Sequence, residues 1–112
     1  MLTDEDIAAA GAAGEERRRT TPWAVEARYD AERRRVVLML SSGLEVAFRP
    51  EDHQGLESAT PEQLAEVRID GVGYGLHWES IDADVYIPSL LKGVTGSKAW
   101  MEARRAKRQA AE

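Results

Sequence analysis

Trp23-Ala24-Val25-Glu26-Ala27-Arg28-Tyr29 alternates apolar and charged positions, and its period of two decides the fold. Trp23, Val25, Ala27 and Tyr29 are expected on one face, with Glu26 and Arg28 on the other, which is the pattern of a half-buried strand. Asp30 to Arg33 makes a turn, and Arg34 to Leu40 follows as a second strand. Its run from Val36 to Leu40 has no polar face, so it belongs in the middle of a sheet, covered on both sides. Ser41-Ser42-Gly43 supplies a tight reversal with glycine free to take positive φ. Leu44, Val46 and Phe48 then alternate against Glu45, Ala47 and Arg49 as a third strand. Three consecutive antiparallel strands form a meander, and Pro50 ends it.

Beyond the meander the periodicity shifts to short helical signals. Thr60-Pro61-Glu62-Gln63 has a capping threonine, proline at the first helical position and glutamine at the third, which is a capping box. Leu64 and Val67 are its inward residues, and Leu56 anchors the loop before it. The next stretch, Gly71-Val72-Gly73-Tyr74-Gly75-Leu76-His77-Trp78-Glu79-Ser80-Ile81-Asp82-Ala83-Asp84, mixes special backbone, large apolar and ionisable residues more densely than any other window. Gly73 and Gly75 are expected in a reversal or bulge, with Leu76, His77 and Trp78 as a short strand. Val85 to Ile87 extends again, and residues 88–92 form one helical turn. Ser97 caps a terminal helix over 98–109. A marginal alanine-rich helix over 4–14, capped by Thr3, and a charged connector from Glu15 to Thr21 precede the meander. The expected core is Trp78, Leu76, Val46, Phe48, Leu38, Leu40, Leu64, Ile69 and Leu90.

The fold class is therefore α+β: a small, mainly antiparallel sheet, made of a three-strand meander plus a later strand, with short helices and a terminal helix. Residues 1–22 read as an N-terminal helix and connector, 23–96 as the α+β core and 97–112 as a basic C-terminal helix, all in one domain. At 112 residues the chain can bury a core without a disulfide or metal. It has no cysteine, which excludes disulfide frameworks and thiol chemistry. Its acidic start, Met1-Leu2-Thr3-Asp4-Glu5-Asp6, predicts no signal peptide, and no stretch is apolar enough to span a membrane. The expected compartment is the cytoplasm.

Charge is uneven. Residues 23–97 hold thirteen acids against seven bases, net −6, while residues 98–112 hold five bases against two acids, net +3. The tail could attract a phosphate backbone that the body would repel. Trp100 and Met101 are large, apolar and adjacent, beside an alanine stripe at 99, 103, 106 and 110 and the basic residues Arg104, Arg105 and Arg108. Those five named residues, Trp100, Met101, Arg104, Arg105 and Arg108, are the candidate interaction surface.

The candidate chemistry is sparse. His77-x-Glu79 with Asp82-x-Asp84 has metal-ligand or acid–base residue types, and in a strand His77 and Glu79 share a side. A metal site needs three or more convergent ligands, so the expectation is a structural turn motif of Gly73, Gly75, His77, Trp78, Asp82 and Asp84, the aspartates bonding turn and helix-entry amides. The glycines lack the lysine and following helix of a phosphate loop. No catalytic residue, no metal, no cofactor and no small-molecule substrate is expected.

The order Gly43, Gly55-Leu56, Ala59-Thr60, Gln63-Leu64, Gly73, Gly75-Leu76-His77-Trp78, Ile81-Asp82-x-Asp84, Ile87-Pro88, Leu90-Leu91-x-Gly93 and Trp100-Met101 resembles the bacterial domain-of-unknown-function family 2442. The resemblance implies a small α+β fold, often encoded beside toxin–antitoxin-like partners. Some members of that family carry an added helix-turn-helix domain, which is not recognisable here, and the family supplies no catalytic residues. The expected function is a non-enzymatic protein-interaction module, an antitoxin-like or accessory partner of a neighbouring gene product, with a protein partner or a homodimer. The alternative is a DNA-associated regulatory protein using the basic C-terminal helix.

Overall fold

The computed structural model describes residues 3, 14–16 and 18–111. β1 (Ala24–Asp30), β2 (Arg35–Leu40) and β3 (Glu45–Phe48) form one antiparallel sheet in that order. β4 (Arg68–Asp70), β5 (Gly75–Trp78) and β6 (Ala83–Tyr86) form a second. From residue 24 on, the α-helices are α1 (Pro61–Leu64), α2 (Ile87–Leu91) and α3 (Lys98–Ala111). The architecture is α+β, with two short meanders where the sequence predicts one sheet.

The meander of β1, β2 and β3 forms where the alternation places it, with one correction. Ala24 pairs with Leu40 while Glu26 pairs with Met39, so Val25 is the extra residue of a β-bulge. The bulge reverses the phase of the strand: Ala24 is buried, Val25 is exposed, and Ala27 and Tyr29 face the core. In β2, Val36, Leu38 and Leu40 point into the core, and Val37 on the other face is also buried. Glu26, Arg28 and Glu45 flank that outer face, their long side chains lying beside Val37 and Met39.

The second meander includes one strand that the periodicity leaves unmarked, Arg68–Asp70, and one, Ala83–Tyr86, that begins two residues before the extended piece expected at Val85 to Ile87. Arg68–Asp70 pairs with β5, and Ala83–Tyr86 pairs with its other edge. The β4–β5 reversal runs through residues 71–74, and Gly73 lies at φ +99. A Cβ at Gly73 would stand 2.9 Å from Trp23 Cδ1 and 3.0 Å from the Ala24 carbonyl oxygen. That close approach joins the two sheets: the Ala24 amide donates to the Gly73 carbonyl at 2.8 Å. Tyr74 follows, buried, and its carbonyl accepts from the Ile87 amide at 2.8 Å.

The core is a single cluster. Val36, Leu38 and Leu40 meet Leu76 and Trp78 of β5, Val85 and Ile87, and Leu56 and Leu64 from the intervening loop and helix. Five of the nine expected core residues are buried: Leu38, Leu40, Leu64, Leu76 and Trp78. Val46, Phe48, Ile69 and Leu90 pack against the cluster from partly exposed positions. Trp78 is fully buried, and its indole N–H donates to the Leu64 carbonyl at 3.0 Å. α1 closes that contact with its capping box, Gln63 N–H to Thr60 Oγ1 and Thr60 N–H to Gln63 Oε1.

The helix expected over residues 4–14 lies outside the described residues except for Gly14. Part of the expected connector is itself helical, at residues 14–16 and 18–20. Arg18 stacks over Trp23 at 4.2 Å and lies 5.5 Å from the Tyr74 ring, covering the junction of the two sheets.

Two measurements check this packing. Trp78→Ala removes the largest core side chain and orphans the Leu64 carbonyl, so denaturant unfolding should show a loss of about 3–5 kcal/mol. Gly73→Ala and Gly43→Ala both place alanine at positive φ, but only Gly73 has atoms in the way. Gly73→Ala should therefore destabilise by about 1–3 kcal/mol, and by more than Gly43→Ala does.

Candidate functional site

The terminal helix carries all five candidate interaction residues, and it docks on the loop around Asp52 and Gln54. Gln54 organises the approach. Its amide donates to the Thr95 carbonyl at 2.8 Å, and its Oε1 accepts from the Ser97 amide at 2.8 Å. Ser97 Oγ then accepts from the Trp100 amide at 3.1 Å, capping α3. Gly96 lies flat against the Trp100 ring and Gln54, where a Cβ would meet both within 2.8 Å.

One carboxylate holds the helix in place. Asp52 Oδ1 accepts from Arg104 at 2.7 Å and from Arg108, one turn further along. Its Oδ2 accepts from Arg49 Nε at 2.8 Å. Burial alone would push the Asp52 carboxyl up; hydrogen bonds from Arg104 and Arg49, with the charges of Arg49 and Arg108, hold it below its ordinary value. Arg104 also lies over the Trp100 ring at 5.7 Å.

The five candidate residues therefore divide. Trp100, Met101 and Arg104 are half-buried against the body, and Arg108 is tied to it through Asp52. Arg105 is exposed, as is every residue from 105 to 111. A groove of about 300 Å³ runs beside the helix, lined by Asp52, Gly93, Thr95, Trp100, Met101 and Arg105 among others. Leu91 and Val94, on the segment leading into α3, are exposed apolar residues. Asp52 and Gln54 are docking residues that sequence reading passes over; they sit in a polar loop with no local signal of their role. His53 between them is buried, and its Nδ1–H donates to the Gln54 carbonyl at 2.9 Å.

The structural turn motif is assembled on the β4–β5 reversal, β5, the following 3-10 turn and β6. Gly73 sits at the sheet junction, Gly75 begins β5, and Trp78 points into the core. His77 points the opposite way from Trp78 and pairs across the hairpin with Asp84. His77 Nδ1 is 2.7 Å from Asp84 Oδ1, and Nε2 is 2.9 Å from Glu79 Oε2. Arg68 of β4 reaches the same Glu79 oxygen at 3.1 Å. Asp84 first and Glu79 second raise the His77 pKa above the ordinary histidine value, against a smaller lowering by burial. Asp82 has left-handed backbone, φ 46, and ends the 3-10 turn Glu79–Ile81. Asp84 corrects the sequence reading: it is a strand residue bonded to His77, and it bonds no helix-entry amide among the described residues.

The Asp52 anchor has a pH signature. Its native pKa is depressed, so its contribution is present above the unfolded carboxyl value, about 3.9, and disappears as pH falls below that through the native value. The Trp100 indole N–H resonance should shift on acidification through that range, and Asp52→Asn should abolish the transition. The same substitution should cost about 1 kcal/mol near neutral pH, because these ion pairs are partly solvated.

Among the described residues, no helix is long and apolar enough to cross a membrane. A search of curated proteins returns no match. A crystal structure of a protein of unknown function from Rhodospirillum rubrum is similar, with a TM-score of 0.71 and 49% identity over 73% of this chain and 99% of that one. So is the solution structure of an uncharacterized protein from Chromobacterium violaceum, with a TM-score of 0.71 and 33% identity over 93% of this chain and 94% of that one. The family described as protein of unknown function (DUF2442) matches residues 24–96, which span both meanders and the segment leading into α3. With that match and two bacterial relatives of the same fold, the chain belongs to the DUF2442 family.

Proposed function

We propose that this chain is a non-enzymatic protein-interaction module that works in the cytoplasm as an antitoxin-like or accessory partner of a neighbouring gene product. The observation that carries the reading is the division of α3. Its first half is pinned by Ser97, Trp100, Met101 and Arg104, while residues 105–111 are exposed and keep one tie to the body, Arg108 to Asp52. Helices this short are marginal in water without a docked face, so a projecting second half gains stability from a partner polypeptide. The exposed row includes Arg105 and Lys107, which suits an acidic or mixed surface on that partner. The outer edges of β3 and β6 pair with no strand among the described residues, which offers a second place for a chain to add. A second copy of the chain, with its net −6 body, is also compatible with this helix.

The second reading is a DNA-associated role, favoured by the same basic row. Two of its arginines, Arg104 and Arg108, are already engaged by Asp52, and the body is acidic.

Affinity capture from the native host and mass in solution separate these readings. The full chain should retain a neighbouring-gene product or elute as a dimer. Ala106→Glu with Ala110→Glu, at exposed positions, should lose that association while keeping its thermal unfolding midpoint. An electrophoretic shift of duplex DNA that vanishes with Arg105→Glu and Lys107→Glu would overturn the proposal in favour of the DNA reading.

A further inference from the structure

The β5–β6 hairpin turns its inner row, Leu76 and Trp78 with Ala83 and Val85, into the core. Its outer row brings His77 directly opposite Asp84. The 3-10 turn and the left-handed Asp82 curl the chain back, so that one donor atom each from His77, Asp82 and Asp84 lies within 4.8 Å of the others. Sequence spacing alone offers only separate pairs, His77-x-Glu79 and Asp82-x-Asp84. The fold converts them into a convergent set of three with a fourth group behind it.

We propose that His77, Asp82 and Asp84 bind one divalent transition-metal cation, with His77 Nδ1 and one carboxylate oxygen from each aspartate as ligands. Glu79 has a different role. It accepts from His77 Nε2–H at 2.9 Å and is itself held by Arg68. A carboxylate behind a metal-binding histidine fixes the tautomer and aims the other ring nitrogen at the ion. The His77 side chain is only 15% exposed, so its ring is held in place by the sheet, whereas Asp84 at 68% is free to adjust. The Asp82 amide donates to the Glu79 carbonyl at 3.3 Å, while its carboxylate has no hydrogen-bond or ion-pair partner among the described residues.

The dimensions fit. Two donors on one ion, each at about 2.1 Å, can stand at most about 4.2 Å apart. Nδ1 and Asp84 Oδ1 already stand at 2.7 Å, and rotation of an exposed aspartate brings the widest separation into range. One imidazole and two carboxylates, without a thiolate, suit zinc or manganese and leave coordination positions open. The ion would clamp β5, the turn and β6 together. This inference stands independently of the interaction reading, since it involves none of the α3 residues or their Asp52 anchor.

Isothermal titration of the full chain with zinc chloride and with manganese chloride tests it. The expected result is one-to-one binding of at least one ion, with the His77 ring resonances moving at the same stoichiometry. Asp82→Asn should weaken binding about tenfold or more while leaving the metal-free unfolding midpoint unchanged. His53→Gln, which alters the other histidine, should leave the isotherm intact. Absence of binding by either ion would overturn the proposal. So would an isotherm unchanged in both Asp82→Asn and His77→Gln.

Discussion

The buried indole of Trp78 is the contact on which most of this fold depends. It fills the centre of the cluster between the two meanders, and its one polar atom is satisfied by the Leu64 carbonyl. That bond fixes α1 relative to β5, and α1 in turn is held by the Thr60–Gln63 capping box. A tryptophan in this position does two jobs at once. It supplies a large apolar area, and its N–H specifies which loop must lie over it. An aliphatic side chain of similar bulk would supply only the first. The rows of the hairpin follow from that choice: with Trp78 and Leu76 inside, His77 must point out, and Asp84 opposite it must point out as well.

The second constraint is the approach of Gly73 to Trp23. Neither sheet has enough strands to be stable alone, since three short strands bury too little area. They are joined where backbone meets backbone, through the Ala24 amide and Gly73 carbonyl. Only glycine lets the turn come this close at φ +99. The β-bulge at Val25 belongs to the same joint. It shifts the phase of β1 so that Ala24 turns inward beside the joint and Val25 outward.

These details explain what was legible in the sequence. The β1–β3 meander, the capping box, the glycine reversal and the terminal helix all leave local signatures, and each element lies within a few residues of its expected range. The bulge does not, because Val25 falls in phase with the apolar Trp23, Ala27 and Tyr29, and the alternation reads straight through it. β4 is three residues long with two charged ends, too short for periodicity to register. The split into two sheets is a tertiary outcome of the Gly73–Trp23 approach, which no local window contains. The same limit applies to function. His77, Asp82 and Asp84 could be named as chemistry-bearing residues, but their convergence depends on strand register. Asp52 could not be named at all, because its partners Arg104 and Arg108 lie far along the chain.

Asp52 also determines how the terminal helix behaves as a charged object. Three guanidiniums, those of Arg49, Arg104 and Arg108, converge on one carboxylate. The local balance therefore stays positive even though the anchor itself is an ion-pair network. The groove beside it inherits that excess, with Arg105 on its rim and Trp100 and Met101 as its apolar floor. Charge and apolar area are thus presented together on one side of the helix, while residues 105–111 are exposed, with Arg108 still tied to Asp52. A helix held rigidly at its base presents its tip with little loss of conformational freedom on binding, because the ordering has been done by Ser97, Gln54 and Asp52. The base of the helix belongs to the fold, and the exposed residues after Arg108 owe it no contact among the described residues.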